Sequence, residues 1–275
     1  MIIDFHTHIF PPRVRDRRQE YLRRDPTFAE MYTSPKAKIA TAEDLLRSMD
    51  EAGVDVSVAL GFAWRDHEDC VRHNDYLLEA AANSGGLITP FCTVNPARGE
   101  AAKAEVERCA LAGARGLGEL RPESQGWDLN GEPGDRLAAL AQQHDLILLF
   151  HVTEPVGHDY PGKQGLSPDS FQRFLAREQG VSVVGAHLAG GLPLHDPAPA
   201  NVYADTAALR LLYEQRVLAE PALAAWAGRL LFGSDFPLVS QAAALTDVRA
   251  GGLDGPALTR VLGANALALL PPAGT

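Results

Sequence analysis

A chain of 275 residues can bury a sizeable core, either as one large α/β domain or as two ordinary ones. Its 46% apolar and 22% charged content fits a soluble globular protein, and a formal charge of −10 argues against general nucleic-acid binding. The three cysteines, Cys70, Cys92 and Cys109, are far apart and form no Cys-x-x-Cys, so reduced thiols in a cytoplasmic protein are expected, with no disulfide framework or thiolate zinc site. No basic start leads into a long apolar run, so no signal peptide or membrane span is expected.

The first ten residues open with Ile2 and Ile3, β-branched and apolar, and read as a buried strand. His6 and His8 follow at its far end. Residues two apart on a strand share a face, so the two imidazoles project together and begin a divalent-metal site. Asp4 has the same parity and is expected deeper in the fold as a supporting carboxylate. Pro11 and Pro12 then stop regular structure. Residues 11–40 form a polar excursion with Arg13, Arg15, Arg17, Arg18, Arg23 and Arg24, read as a solvated, partly helical face. A lid that attracts an anionic substrate is the alternative.

A helix is expected over 41–52, capped by Thr41, with Leu45, Leu46 and Met49 as its apolar stripe. Strands and helices then alternate. Strands are expected over 54–62, 87–94, 114–120, 146–152, 181–187, 201–205 and 229–235. Helices are expected over 69–83, 99–112, 134–144, 168–179, 207–227 and 255–270. Continuously apolar strands imply burial on both sides, hence a parallel sheet covered by helices. With the opening strand there are eight such units, the size of a (β/α)8 TIM barrel, expected as a single domain over 1–275. A doubly wound sheet would want Gly-x-Gly-x-x-Gly after its first strand, which is missing. Gly116-Leu-Gly118 lacks the third glycine and is read as close packing.

In such a barrel the chemistry sits where strands run out into loops. His6, His8, Glu119, His151, His187, Asp205 and Asp235 all stand at strand ends. In the fifth strand Ile147, Leu149 and His151 share a face, and in the fourth Leu117 and Glu119 do the same. Buried lone carboxylates and imidazoles are costly unless paired or metal-bound, and several on one rim point to a metal. Zn²⁺ is the first expectation, with Mn²⁺ or Fe²⁺ as alternatives. One ion needs only Asp235 and histidines; Glu119 can bridge two ions through its two oxygens, which favours a binuclear centre. Asp205 is read as orienting a ligand or touching substrate. Glu154, His158, Tyr160 and Lys163 in the loop after the fifth strand are candidate substrate contacts, as is Arg121, two residues beyond Glu119. Trp64, Arg65 and Trp127 are read either as walls of the pocket or as packing under loops.

The opening Asp-Phe-His-Thr-His, His151, His187 and Phe232-Gly-Ser-Asp-Phe-Pro237 resemble the amidohydrolase superfamily, and within it the amidohydrolase-related group of metal-dependent hydrolases. The resemblance spans essentially the whole chain. It implies that His6, His8 and Asp235 bind one metal, and that His151 and His187 bind a second, or that His187 touches substrate where there is one. It places the strand-four bridging position on Glu119, where many binuclear relatives have a carboxylated lysine.

The reaction expected first is hydrolysis of a C–N, C–O or phosphoester bond of a small molecule by metal-activated water. Asp235 would take the proton, and a second metal or His187 would stabilise the oxyanion. The alternative is a mononuclear decarboxylase or hydratase of an aromatic or unsaturated acid, which Arg121 and the arginine-rich excursion favour. The expected partner is a small-molecule substrate, an anionic one included, and helices 69–83 and 209–227 are the candidate face for a homo-oligomer.

Overall fold

The structure, a computed structural model, describes residues 1–154, 163, 165–191, 199–213 and 217–270. Eight parallel strands follow one another in chain order: β1 (Ile3–His8), β2 (Val56–Leu60), β3 (Ile88–Cys92), β4 (Gly116–Leu120), β5 (Ile147–Phe150), β6 (Val183–Gly185), β7 (Val202–Asp205) and β8 (Leu230–Leu231). The ring is drawn together where Phe5 N donates to Phe232 O (2.7 Å) and Asp235 N to His6 O (2.9 Å). Parallel neighbours cannot be joined by tight turns, and helices supply the crossovers. The fold is the (β/α)8 barrel.

Alternation divides the strand side chains between two cores. Ile3, Phe5, Val58, Leu60, Phe91, Ile147, Leu149, Val184 and Leu231 fill the barrel interior. Ala59, Cys92, Leu117, Leu148, Phe150, Val183, Val202 and Leu230 face the helices. Gly116 and Gly118 sit where the interior is tightest. A methyl group at Gly116 would lie 2.4 Å from Phe91 Cε2, and one at Gly118 would lie 2.8 Å from Leu149 Cβ, so close packing is the reason for both.

The excursion folds into three short helices, Pro12–Asp16, Arg18–Arg24 and Pro26–Tyr32. Arg13, Arg15, Arg17, Arg23 and Arg24 line an outer face, where Arg24 pairs with Asp69 at 2.7 Å, while Arg18 is half-buried and donates to the Ala37 carbonyl. Their inner face is aromatic. Tyr21, Phe28 and Tyr32 pack with Phe10, Phe62 and Trp64 into a third core, separate from the other two. Phe28 stacks on Tyr32 and on Trp64, with centroids 4.6 and 5.3 Å apart. Trp64 is therefore packing, as is Trp127, which belongs to the strand–helix layer.

Expected helices agree to within a few residues over Ala42–Ala52, His67–Asn83, Glu100–Leu111, Glu132–Gln143 and Pro168–Arg177. The first carries the expected Thr41 cap, completed into a capping box by Asp44, and Gly53 closes it at φ 69°. The expected helix 207–227 is broken: Leu209–Leu212, a 3₁₀ turn Val217–Ala219 and Pro221–Ala225 take its place. The closing segment 255–270 is helical but contains a π turn over Arg260–Ala264. Helix Gln241–Ala250 has no counterpart in the sequence reading, because its buried stripe of Gln241, Ala244, Leu245 and Val248 is only weakly apolar. Among the described residues no helix is long and apolar enough to cross a membrane.

Candidate metal centre

His6 and His8 lie at the end of β1 with their Nε2 atoms 3.1 Å apart. They share a face as alternation expects, while an irregularity earlier in the strand separates that face from the one Asp4 takes. The β1–β2 register shifts between Asp4 and Thr7. Asp4 therefore does not share the histidines' face: it accepts from Ser234 N (2.9 Å) and from Gln241 Nε2 (2.9 Å), on the helix side of the strand. Burial raises its carboxyl to about 6, against the pull of those hydrogen bonds.

Glu119 reaches the site in a similar way. Leu117 and Leu120 both face the helices, and the β4–β5 register shifts between them. The expected shared face of Leu117 and Glu119 is thus incorrect. The shift turns Glu119 inward, where Oε1 lies 3.0 Å from His151 Nδ1 and 3.5 Å from His187 Nε2, and Oε2 lies 3.6 Å from His8 Nε2. Asp235 Oδ1, after β8, is 3.6 Å from His8 Nε2 and 3.8 Å from His6 Nε2.

Two trios offer ligand atoms within 4.8 Å of one another: His6, His8 and Glu119, and Glu119, His151 and His187. Ring partners decide which atoms are free. His6 Nδ1 donates to Asp205 Oδ2 at 2.7 Å, which leaves the Nε2 lone pair facing the cluster. His187 Nδ1 donates to the Ala207 carbonyl at 3.2 Å, with the same consequence for its Nε2. The Nε2 atoms of His6 and His187 thus face the carboxylates, as acceptors toward a divalent ion when neutral or as donors when protonated. The donors are imidazole and carboxylate, with no thiolate, and they fit a borderline divalent ion.

Electrostatics point the same way. Burial disfavours charge on His6, but Asp205, Glu119 and Asp235 overcome it and push the ring up to about 9. Burial likewise opposes charge on His187, and Glu119, Asp235 and Asp205 push that ring up to about 10. Burial would raise Glu119, yet the surrounding imidazoles hold it well below the usual carboxylate range. Burial and the Arg121 guanidinium lower His151. The carboxylates call for positive charge at this point, and a divalent ion supplies two such charges.

Asp205 underlies the cluster. Beyond His6 it accepts from His187 N (2.9 Å) and Ala207 N (3.0 Å), tying together the ends of β1, β6 and β7. His187, Leu188 and Ala189 adopt left-handed φ values of 58°, 54° and 49°, and Asp235 one of 65°. Non-glycine residues are strained there, and such strain concentrates at functional sites.

Arg121 is 3% exposed and runs alongside the cluster. Nη1 touches Met31 Sδ at 3.9 Å, and Nη2 comes within 3.9 Å of a methyl position at Gly165 that is itself 3.4 Å from His151 Cδ2. Glu154 and Lys163 are buried, and Lys163 meets the site through its carbonyl, 3.4 Å from His151 Nε2. His158 and Tyr160 lie outside the described residues. The sequence reading missed Tyr32, whose buried phenol feels the charges of Asp235 and Glu119. The signal for it was the helical spacing of Tyr21, Phe28 and Tyr32 inside an arginine-rich stretch.

The fold is similar to that of 5-carboxyvanillate decarboxylase LigW from Sphingomonas paucimobilis, at 16% identity over 98% of each chain and a TM-score of 0.76. It is also similar to 2,6-dihydroxybenzoate decarboxylase from Rhizobium, at 16% identity over 98% of each chain and a TM-score of 0.72. A third similar structure is a dihydroxybenzoic acid decarboxylase from Polaromonas sp. JS666, with bound manganese and the inhibitor 2-nitroresorcinol. There the identity is 16%, the TM-score 0.71, and the coverage 98% of this chain and 96% of that one. At such identities the likeness is one of fold. No curated protein matches the chain. A family model described as amidohydrolase matches residues 3–271, a stretch that takes in all eight strands and every described side chain of the cluster, and the chain therefore belongs to the amidohydrolase family.

Proposed function

We propose that this enzyme binds an aromatic carboxylic acid beside one divalent ion and releases its carboxyl group as CO2. His6, His8 and Asp235 would hold the ion, with Glu119 beside them. The ion would supply Lewis acidity toward the acid's oxygens. In the reaction the bond from ring carbon to carboxyl breaks, its electron pair stays on the ring carbon, and that carbon takes up a proton. His187 is the proton donor in this reading, as the imidazolium that Glu119, Asp235 and Asp205 favour. The Ala207 carbonyl holds its Nδ1 and leaves Nε2 facing the cluster.

The observation that carries the reading is the buried Arg121 guanidinium, a fixed cation set beside an imidazole–carboxylate cluster. A planar guanidinium in a site shielded from water suits a carboxylate. The structural relatives named as decarboxylases lend it support. A second reading, hydrolysis by activated water with Asp235 as base, draws on Glu119, which belongs to both ligand trios and could bridge two ions.

The test is a panel of hydroxybenzoic acids incubated with Mn²⁺- or Zn²⁺-loaded protein in D2O. Release of CO2 with deuterium entering the ring at the vacated carbon is the expected result. Turnover of esters, amides or lactones with no CO2 from any acid would overturn it in favour of hydrolysis.

A further inference from the structure

His187 opens a turn in which it, Leu188, Ala189 and Gly190 all take left-handed φ values, 58°, 54°, 49° and 78°. The side chains of the first three disfavour that conformation, so contacts from outside must hold the turn. Leu188 and Ala189 are held by burial in the strand–helix core. His187 turns its ring to the ligand cluster instead, and hydrogen bonds from segment 205–213 hold it at three points. Asp205 Oδ1 accepts from its backbone N at 2.9 Å, and the Ala207 carbonyl accepts from its ring Nδ1 at 3.2 Å. At the far end of the segment, just past helix Leu209–Leu212, the Tyr213 hydroxyl donates to the His187 carbonyl at 2.9 Å. A carbonyl can only accept, so the direction of that bond is fixed. Tyr213 is half-buried against the strand–helix core, and its own N donates to the Leu209 carbonyl at 3.0 Å, so the phenol reaches His187 from a fixed base. Burial, with Glu154 and Asp205, raises the phenol well above its ordinary value, and the hydroxyl keeps its proton.

We propose that Tyr213 is a positioning residue for the reaction. Its hydroxyl on the His187 carbonyl, opposite Asp205 on the His187 N–H, fixes the backbone so that ring Nδ1 meets Ala207 and Nε2 faces Glu119 Oε1 at 3.5 Å. Tyr213 acts through His187 and takes no part in bond breaking. The kinetic consequence rests on the reading above, in which His187 delivers the proton; the placement of the ring does not.

The experiment is nitrogen-15 NMR of Zn²⁺-loaded, histidine-labelled protein, wild type and Tyr213→Phe, which removes only the hydroxyl. The Nδ1–H signals of His187 and His6 are identified by their loss in His187→Gln and His6→Gln. Tyr213→Phe should speed solvent exchange of the His187 proton about tenfold, the worth of one hydrogen bond, and leave the His6 proton, held by Asp205, unchanged. An unchanged His187 proton overturns the proposal, and so does equal acceleration of both protons, which is general loosening of the fold. With hydroxybenzoic acids, the variant should lose about tenfold in kcat with KM unchanged. A rise in KM with kcat unchanged, or no change in either, overturns the role in the reaction. Failure of the wild type to turn over any acid overturns the aromatic-acid reading alone, since the His187 proton still decides whether Tyr213 holds the ring.

Discussion

His73 makes acid stability a test of how the wall under the excursion is built. The ring is fully engaged as a neutral imidazole: Nε2 donates to the Ile9 carbonyl at 2.7 Å, and Nδ1 accepts from Trp64 Nε1 at 3.0 Å and from Phe62 N at 3.3 Å. It stacks on Phe10 with centroids 5.1 Å apart. Burial lowers its pKa from 6.5 to about 4, against the pull of the Ile9 bond. Unfolded, the ring takes a proton below pH 6.5; folded, it does so only near pH 4. The unfolded state thus binds more protons in that window, and stability present above pH 6.5 is lost as the pH falls toward 4. At about 1.4 kcal/mol per pH unit, this one ring accounts for about 3 kcal/mol of acid destabilisation. Urea unfolding of the wild type and His73→Gln, followed from neutral pH down to about pH 4, isolates its share from that of the carboxylates. The variant should be the less stable protein at neutral pH, and the gap should narrow by about 3 kcal/mol across the window. Parallel stability curves for the two proteins would refute the reasoning.

Three further outcomes are expected. Asp205→Asn removes the charge that orients His6 and should lower divalent-ion affinity about 10- to 100-fold, measured by competition with a chelating dye; unchanged affinity would detach Asp205 from the centre. Glu119→Gln should leave the metal-to-protein ratio at one, as in the wild type, by elemental analysis; two ions falling to one would establish a bridge and favour hydrolysis. Gly116→Ala forces a methyl group to within 2.4 Å of Phe91 Cε2 and 2.6 Å of the Ile147 carbonyl. It should cost about 1–3 kcal/mol by thermal or urea unfolding, and a neutral substitution would mean that β4 can shift.

The barrel was legible because eight short, mostly continuous apolar runs alternate with helical stripes or loops, and its ligand candidates were legible because they interrupt those runs at their ends. His151 follows Ile147 and Leu149, both of which do line the interior. Simple alternation failed where the backbone departs from it. Asp4 and Glu119 each lie beside a register shift, and each faces opposite to its parity. The Glu119 expectation thus reached the right cluster by a wrong route. Tyr32 was hidden for another reason: charge dominates its stretch of sequence, and only the packing of three short helices shows that all the arginines but Arg18 face out and the aromatics in. Helix Gln241–Ala250 escaped because alanine and glutamine bury without an apolar signature.

The third core has a consequence for how such a protein can diversify. The candidate ligand side chains hang from the strand ends above the barrel interior, while the excursion is held by its own aromatic cluster, anchored through Phe10, Phe62 and Trp64. The candidate ligand cluster and the excursion are therefore folded by different sets of contacts. Residues 11–40 can be rewritten, or exchanged for another insertion, provided the three anchoring rings still find partners. A different segment could then be grafted after β1 while the strands that carry the candidate ligands stay constant.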